Sequence, residues 1–183
     1  MNLKGSLARY RNQNRILAET NLLKSLTHTQ RHEFLQFCHR RKYEEGEFIF
    51  YQNDPGTGMY FIETGTVELI FEASGNESDE PDLRYEIQSP GYFGEHSIGY
   101  DLRRFASARC LSDCVLLGFF KPDLDTLQKR HPSIAAAFLE SLSFQVMKQL
   151  EYATAELESV SGSATVLQFR KSLCHRNREK ETL

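Results

Sequence analysis

The sequence predicts an α+β chain: an antiparallel β jelly-roll barrel flanked by N-terminal helices and a long C-terminal helix. Three observations predict it. Between Arg41 and Phe120 the apolar residues fall in short β-rich runs, broken roughly every 8–12 residues by glycine-containing turns. Ahead of that stretch, Leu22, Leu23, Leu26, Phe34 and Leu35 follow helical spacing. Behind it, a helical pattern runs from Ile134 to about Val160.

Residues 1–21 form a polar extension rich in Arg, Asn and Gln, with a weak apolar pattern at Leu7, Ile16 and Leu17. Two short helices follow, the second N-capped by Thr29, with His32 and His39 as surface residues of an apparent helix. The barrel spans about 42–120. Glu47–Tyr51 is a strand introduced by Gly46, and Asn53–Gly58 is a strong turn. Met59–Glu63 and Thr66–Phe71, joined through Thr64-Gly65, read as a hairpin. The acidic stretch 73–81 reads as a long, mobile hairpin tip before the strand Leu83–Ile87. Pro90-Gly91 reads as a turn in which Gly91 takes the positive φ of type II. Ser107–Leu111 and Cys114–Phe120 close the barrel.

At Lys121-Pro122-Asp123 the pattern turns helical. A short helix over 123–130 ends at His131-Pro132, and Ser133 N-caps a helix of roughly 40 Å reaching about Val160. Val146, Leu150, Ala153, Leu157 and Val160 step by 4, 3, 4, 3. Two such heptads fit either the seam of a homodimer through the C-terminal helix or a core-packing face. Ser161-Gly162-Ser163 breaks the helix, leaving 161–183 as a short amphipathic, basic tail.

Composition narrows the function classes. The 183 residues are 40% hydrophobic and 26% charged, with net charge −3, which carries no footprint for DNA. No run of about 18 apolar residues suggests a membrane span, and the N-terminus lacks a signal-type apolar core; the reading is cytoplasmic. Cys38, Cys110, Cys114 and Cys174 form no Cys-x-x-Cys pair and read as idle thiols. His96 stands alone in the predicted barrel, so a jelly-roll metal site has no ligand set and no metal is expected. No nucleophile–base set stands at informative spacing, so the chain reads as a non-enzyme.

The chemistry concentrates between Pro90 and Ala108. Gly94, Ser97 and Gly99 are small enough for a ligand to reach the main chain, whose N–H groups can cradle an anion. Glu95 can accept hydrogen bonds from hydroxyls, and Arg104 presents a fork of donors to phosphate. A phosphodiester joined to a ribose uses all three features.

Phe93-Gly94-Glu95, eight intervening residues, then Arg104 and Ala106-Ser107 resemble the phosphate-binding cassette of the cyclic nucleotide-binding domain family. That family includes regulatory subunits of cyclic-nucleotide-dependent kinases, gated channels and catabolite-activator-type transcription factors. Gly46, Asp54-Pro55-Gly56, Met59–Ile62 and Gly65 before Val67 resemble the family's signature ahead of the cassette, and the likeness covers roughly residues 22–160. The resemblance implies a ligand, cAMP or cGMP, rather than a cofactor. It gives the ribose 2′-hydroxyl to Glu95 and the exocyclic phosphate oxygens to Arg104. It places Phe93, Gly94, Glu95, His96, Ser97, Arg104, Phe105 and Ala106 at the site. Phe105 departs from the small or hydroxylated residue usual there: turned inward it would crowd the phosphate, turned outward it would not. Arg103 offers an alternative register for Arg104.

The implied function is a regulatory module that signals to an unidentified effector protein by repositioning its C-terminal helix. The residues after Gly162 are too few for a helix-turn-helix, so the reading is a stand-alone module without a DNA-binding domain. The alternative is a barrel without ligand, in which Glu95 and Arg104 form a structural ion pair and the chain serves as a dimerisation or interaction scaffold.

Overall fold

A computed structural model describes residues 16, 19–72, 83–99, 102–169 and 171. The described strands are β1 (His39–Tyr43), β2 (Phe48–Phe50), β3 (Pro55–Gly56), β4 (Gly58–Thr64), β5 (Thr66–Phe71), β6 (Leu83–Gln88), β7 (Gly91–Phe93), β8 (Leu102–Arg103), β9 (Ser107–Cys110) and β10 (Cys114–Phe120). The helices are α1 (His28–Leu35), α2 (Lys121–Arg130) and α3 (Pro132–Ser161), with 3₁₀ turns at Asn21–Leu23 and Glu95–Ser97. Two four-stranded antiparallel sheets, ordered β1-β10-β4-β7 and β2-β9-β5-β6, form the barrel, and β3 pairs with β8. The expected α+β jelly-roll architecture is therefore present.

β4 explains how the barrel and the helices share one framework. Six of its seven residues are buried, so its sequence runs apolar instead of alternating, as expected of a strand covered on both faces. Tyr60 and Ile62 join Val67, Phe93, Ala108, Cys110, Cys114 and Leu116 between the sheets. Met59 and Phe61 face the other way, into a second core with Leu117, Phe119 and the helical residues Leu22, Leu23, Phe34, Leu124 and Phe138. Ile16, assigned from the sequence to the polar extension, is fully buried in this second core.

The structure corrects several local readings. β4 and β5 are not a hairpin: β4 pairs with β10 and β7, β5 with β6 and β9. Gly65, at φ +95°, carries the chain from one sheet to the other, and a Cβ there would stand 2.6 Å from Cys114 Sγ. Two successive strands with a glycine turn are sequence-compatible with either connection; burial of β4 on both faces decides for the crossing. Gly91 has no positive φ; the turn instead contains a cis Ser89–Pro90 peptide. A Cβ at Gly91 would lie 2.6 Å from Ile87 Cγ2, so close approach accounts for the glycine.

Thr27, not Thr29, caps α1. Its Oγ1 accepts from the Gln30 N–H while Gln30 Oε1 accepts from the Thr27 N–H, a reciprocal capping box. His39 lies on β1, with Nε2 2.9 Å from Asp123 Oδ1, so His96 is not alone among the barrel strands and turns. α3 starts at Pro132, one residue before the expected cap Ser133: the His131 carbonyl accepts from the Ile134 and Ala135 N–H groups, and proline suits the first helical position. The hairpin tip 73–81, Cys174 and the basic end of the tail lie outside the described residues.

The chain divides into two compact units, one through Leu142 and one from Ser143. Within the second, α3 ends at Gly162, at φ +80°, and residues 163–169 are helical. Val146, Leu150 and Val160 of the predicted seam are exposed, and Leu157 is half-buried. Among the described residues no helix is long and apolar enough to cross a membrane.

Phe34 ties the first unit together. Its ring lies 5.9 Å from Phe61 of β4, 4.7 Å from Phe119 of β10 and 4.9 Å from Phe138 of α3. Phe34→Ala is expected to lower unfolding stability by about 3–5 kcal/mol, measured by urea titration; a loss below about 1 kcal/mol would show that α1 is not part of the cooperative core.

Candidate functional site

β7 delivers Phe93 into the barrel interior, stacked on Tyr60 at 5.4 Å and 5.9 Å from Phe50. Gly94 then adopts φ +78° and caps the 3₁₀ turn Glu95–Ser97. Glycine is required twice over there, because a Cβ would also lie 2.7 Å from Arg104 Nη1. The sharp turn brings the Gly94 carbonyl and the Ser97 hydroxyl to the Arg104 guanidinium.

Arg104 is held from both sides of its peptide. Its N–H donates to the Asp54 carbonyl at 2.9 Å, and its carbonyl accepts from the Asn53 N–H at 2.8 Å. The side chain is therefore aimed by the turn between β2 and β3 and is only 5% exposed. Nη1 donates to Ser97 Oγ at 3.2 Å and, more distantly, to the Gly94 carbonyl at 3.5 Å. The guanidinium lies over the Phe50 ring at 4.1 Å, and its Nε is buried without a hydrogen-bond partner.

Among the described residues no carboxylate stands within ion-pair distance of Arg104, and the Glu95–Arg104 ion pair does not form. Three other barrel arginines are paired: Arg40 with buried Glu63 at 2.7 Å, and Arg84 and Arg109 with buried Glu68 at 3.2 and 2.9 Å. Burial pushes the Arg104 pKa down, with Tyr60 and Asp54 opposing. A buried cation without a counter-charge is costly, and it is most readily relieved by an incoming anion.

Around this centre, Glu95 and Ser97 are buried, with Glu95 Oε1 4.0 Å from His96 Nδ1. The Tyr92 hydroxyl has its pKa pushed up to about 12, by burial first and then by the Glu95 charge. Ala106 is buried. Phe105 is 55% exposed, its ring edge-on to His96 at 6.1 Å, so it does not fill the interior. Arg103 is exposed and donates to the Asn53 carbonyl at 2.9 Å, which leaves Arg104 as the inward arginine. The structure thus brings Gly94, Glu95, Ser97 and Arg104 together, puts Phe93 in the packed interior, and sets His96 and Phe105 at the rim.

Phe50, Tyr60 and the Asn53-Asp54 turn adjoin Arg104, and the sequence reading gave them to strands and a turn without assigning them to the site. A β-rich run identifies Phe50 as a strand residue; only the pairing of β2 with β9 places it beneath Arg104. Cys110 and Cys114 are buried free thiols, and Cys38 is half-buried. Among the described residues no cluster of three or more metal-ligating side chains occurs. The chemistry on offer is reception of an anion, with a carboxylate beside it to take up hydroxyls.

Comparison with known proteins identifies the family. The cyclic nucleotide-binding domain model matches residues 40–131. The chain is 32% identical over 128 residues to a cyclic AMP receptor protein of Thermus thermophilus, covering 69% of this chain and 56% of that one. It is 31% identical over 120 residues to the cAMP-dependent protein kinase type II regulatory subunit of Drosophila melanogaster, covering 64% and 30%. The crystal structure of Thermus thermophilus catabolite activator protein superposes with a TM-score of 0.69 at 28% identity, over 78% of this chain and 63% of that one. The chain therefore spans less than two thirds of the length of each of these relatives.

Gly94→Ala places a side chain at positive φ and against the guanidinium. It is expected to cost about 1–2 kcal/mol of stability, read as a lowered thermal midpoint; an unchanged midpoint would show that the turn relaxes without the left-handed residue.

Proposed function

The chain belongs to the cyclic nucleotide-binding domain family, and from that premise we propose that it is a regulatory module. It takes up a purine 3′,5′-cyclic monophosphate, cAMP or cGMP, and passes occupancy on to a partner protein. The observation that carries this reading is the buried guanidinium of Arg104, which lies against the turn 94–97 with no carboxylate at ion-pair distance among the described residues. In this reading Arg104 takes the exocyclic phosphate oxygens, N–H groups at the start of the turn, before Ser97, complete the anion seat, and Glu95 binds the ribose 2′-hydroxyl. Phe93 and Ala106 hold the cassette in place, and His96 and Phe105 flank the ligand. The binding module takes residues 22–160, between the extension 1–21 and the tail 161–183, and works in the cytoplasm without catalysis.

The signal leaves through aromatic contacts. An arriving phosphate draws the guanidinium away from Phe50 and Ser97. Phe50 lies 6.2 Å from Tyr60, which meets Phe120 edge-on at 5.7 Å. Phe120 is the N-cap of α2, its N–H donating to Asp123 Oδ2. Reseating these rings biases α2 and then the C-terminal helix between two arrangements. The exposed Val146, Leu150 and Val160 supply the face for a homodimer or effector protein. The same face favours the second reading, a ligand-free interaction scaffold.

Calorimetric titration with cAMP and cGMP decides between the readings. Saturable binding is expected, weakened about 100-fold or more by Arg104→Leu, since truncating one partner of a buried charged contact costs about 2–5 kcal/mol. No heat at millimolar nucleotide would sink the sensor. Leu150→Asp is expected to convert a dimer to a monomer by light scattering with nucleotide affinity retained; an unchanged mass would exclude the helix as the seam.

A further inference from the structure

Three of the described histidines stand beside a carboxylate. His39 Nε2 lies 2.9 Å from Asp123 Oδ1, His131 Nδ1 3.5 Å from Glu33 Oε2, and His96 Nδ1 4.0 Å from Glu95 Oε1. The other two, His28 and His32, stand beside each other on α1. Their ring centroids are 4.7 Å apart with the planes at 65°, and among the described residues neither imidazole has a hydrogen bond or an ion pair. Nothing in the nucleotide reading uses them. We propose that His28 and His32 are a chelating pair for a divalent metal ion that prefers imidazole, Cu²⁺, Ni²⁺ or Zn²⁺, with water completing the coordination.

The helix supplies the geometry. Residues four apart lie one above the other on the same helical face, with Cβ atoms about 5–6 Å apart. Two histidines at this spacing are the arrangement by which a helix offers a pair of ligands to zinc. Each nitrogen needs to approach the ion to about 2.0–2.1 Å. Rotation about χ2, a broad torsion in histidine, turns one nitrogen of each ring toward a common point. The backbone beneath them is already set. The Thr27–Gln30 capping box pins the first turn, and Phe34 anchors the last turn in the outer core. An eight-residue helix would not hold this register by itself, so the anchoring makes the pair a preorganised chelate.

The surroundings select the ion. His28 is exposed and His32 half-buried, so a hydrated ion reaches both. Arg31 stands between them in sequence, but its guanidinium reaches back along the chain. Its Nε donates to the Leu26 carbonyl at 2.8 Å and its Nη2 to the Lys24 carbonyl at 3.0 Å. Glu33, beside His32, is engaged by His131. The pair therefore offers imidazole nitrogen and no carboxylate, a donor set that suits Cu²⁺, Ni²⁺ and Zn²⁺ and rejects the oxygen-seeking Mg²⁺ and Ca²⁺. Two side chains are half the ligands of a closed structural zinc site, so the ion stays partly hydrated and exchangeable. It also bridges successive turns of the helix that carries Phe34, so binding stabilises the folded state.

The test titrates the full chain, without an added histidine tag or nucleotide, by calorimetry with CuCl₂, NiCl₂, ZnCl₂ and MgCl₂. One ion per chain is expected, Cu²⁺ tighter than Ni²⁺ or Zn²⁺, with no heat from Mg²⁺. His28→Ala and His32→Ala each weaken Ni²⁺ about 100-fold or more, because a single imidazole loses the chelate, and the double variant is little worse than either. His131→Gln binds like the wild type. Saturating Ni²⁺ raises the thermal midpoint of the wild type and not of the two alanine variants. Independently of any substitution, substoichiometric Cu²⁺ broadens the NMR signals of the His28 and His32 rings before those of the other histidines. Absence of saturable heat with all three ions overturns the proposal. So does binding that survives both alanine variants and is lost in Cys174→Ser or His175→Ala, which would place the ion on the tail.

Discussion

The site depends on one costly arrangement, a guanidinium buried in an aromatic interior with no carboxylate beside it among the described residues. Arg104 is kept there by backbone hydrogen bonds to Asn53 and Asp54, by the Ser97 hydroxyl and by the Phe50 face. None of these neutralises its charge. Stability elsewhere must carry that cost, and the two cores on either face of β4 provide it. The neighbouring arginines show the contrast: each of Arg40, Arg84 and Arg109 meets a buried glutamate. Among the described residues these three arginines have the carboxylate partners that Arg104 lacks, and in the proposed function an anion supplies the missing charge.

The second consequence is mechanical. Phe50, Tyr60 and Phe120 form a path of ring contacts from the guanidinium to the first turn of α2. Close-packed rings do not deform gradually; they exchange one packing for another. A ligand that moves Arg104 off Phe50 therefore acts on a contact with few alternatives, next to the point where strand gives way to helix. His39 on β1 holds the same point from another side through Asp123. Phe34 joins that helical layer to β4 and β10, so the helices that would carry a signal are also those that complete the outer core.

Much of this was legible in the residues. The glycine-punctuated β runs gave the barrel, and Phe93-Gly94-Glu95 with Arg104 gave the centre of the site, because turn geometry and the need for a small residue are local properties. Readings that required knowing a strand's partner failed. Gly65 looked like a hairpin turn because a glycine between two β runs permits either a hairpin or a crossing between sheets. Thr29 and Ser133 looked like caps because each is a good capping residue near a helix start; the actual ends were set by the reciprocal Thr27–Gln30 bonds and by proline at the first position of α3. Phe105 could be placed only by seeing which way the chain turns after β8.

The sequence alone determined the class of fold and the chemical types available to a ligand, since composition, periodicity and turn residues act over a few positions; the cassette came through its resemblance to a known family. Tertiary structure decided which arginine faces inward, that Glu95 does not neutralise it, and that Phe50, from a strand some fifty residues earlier, lies beneath it. It also aligned Phe50, Ala108, Leu69 and Tyr85 across four strands. Those facts are products of register and burial, which arise between distant segments and leave no trace in the spacing of any one of them.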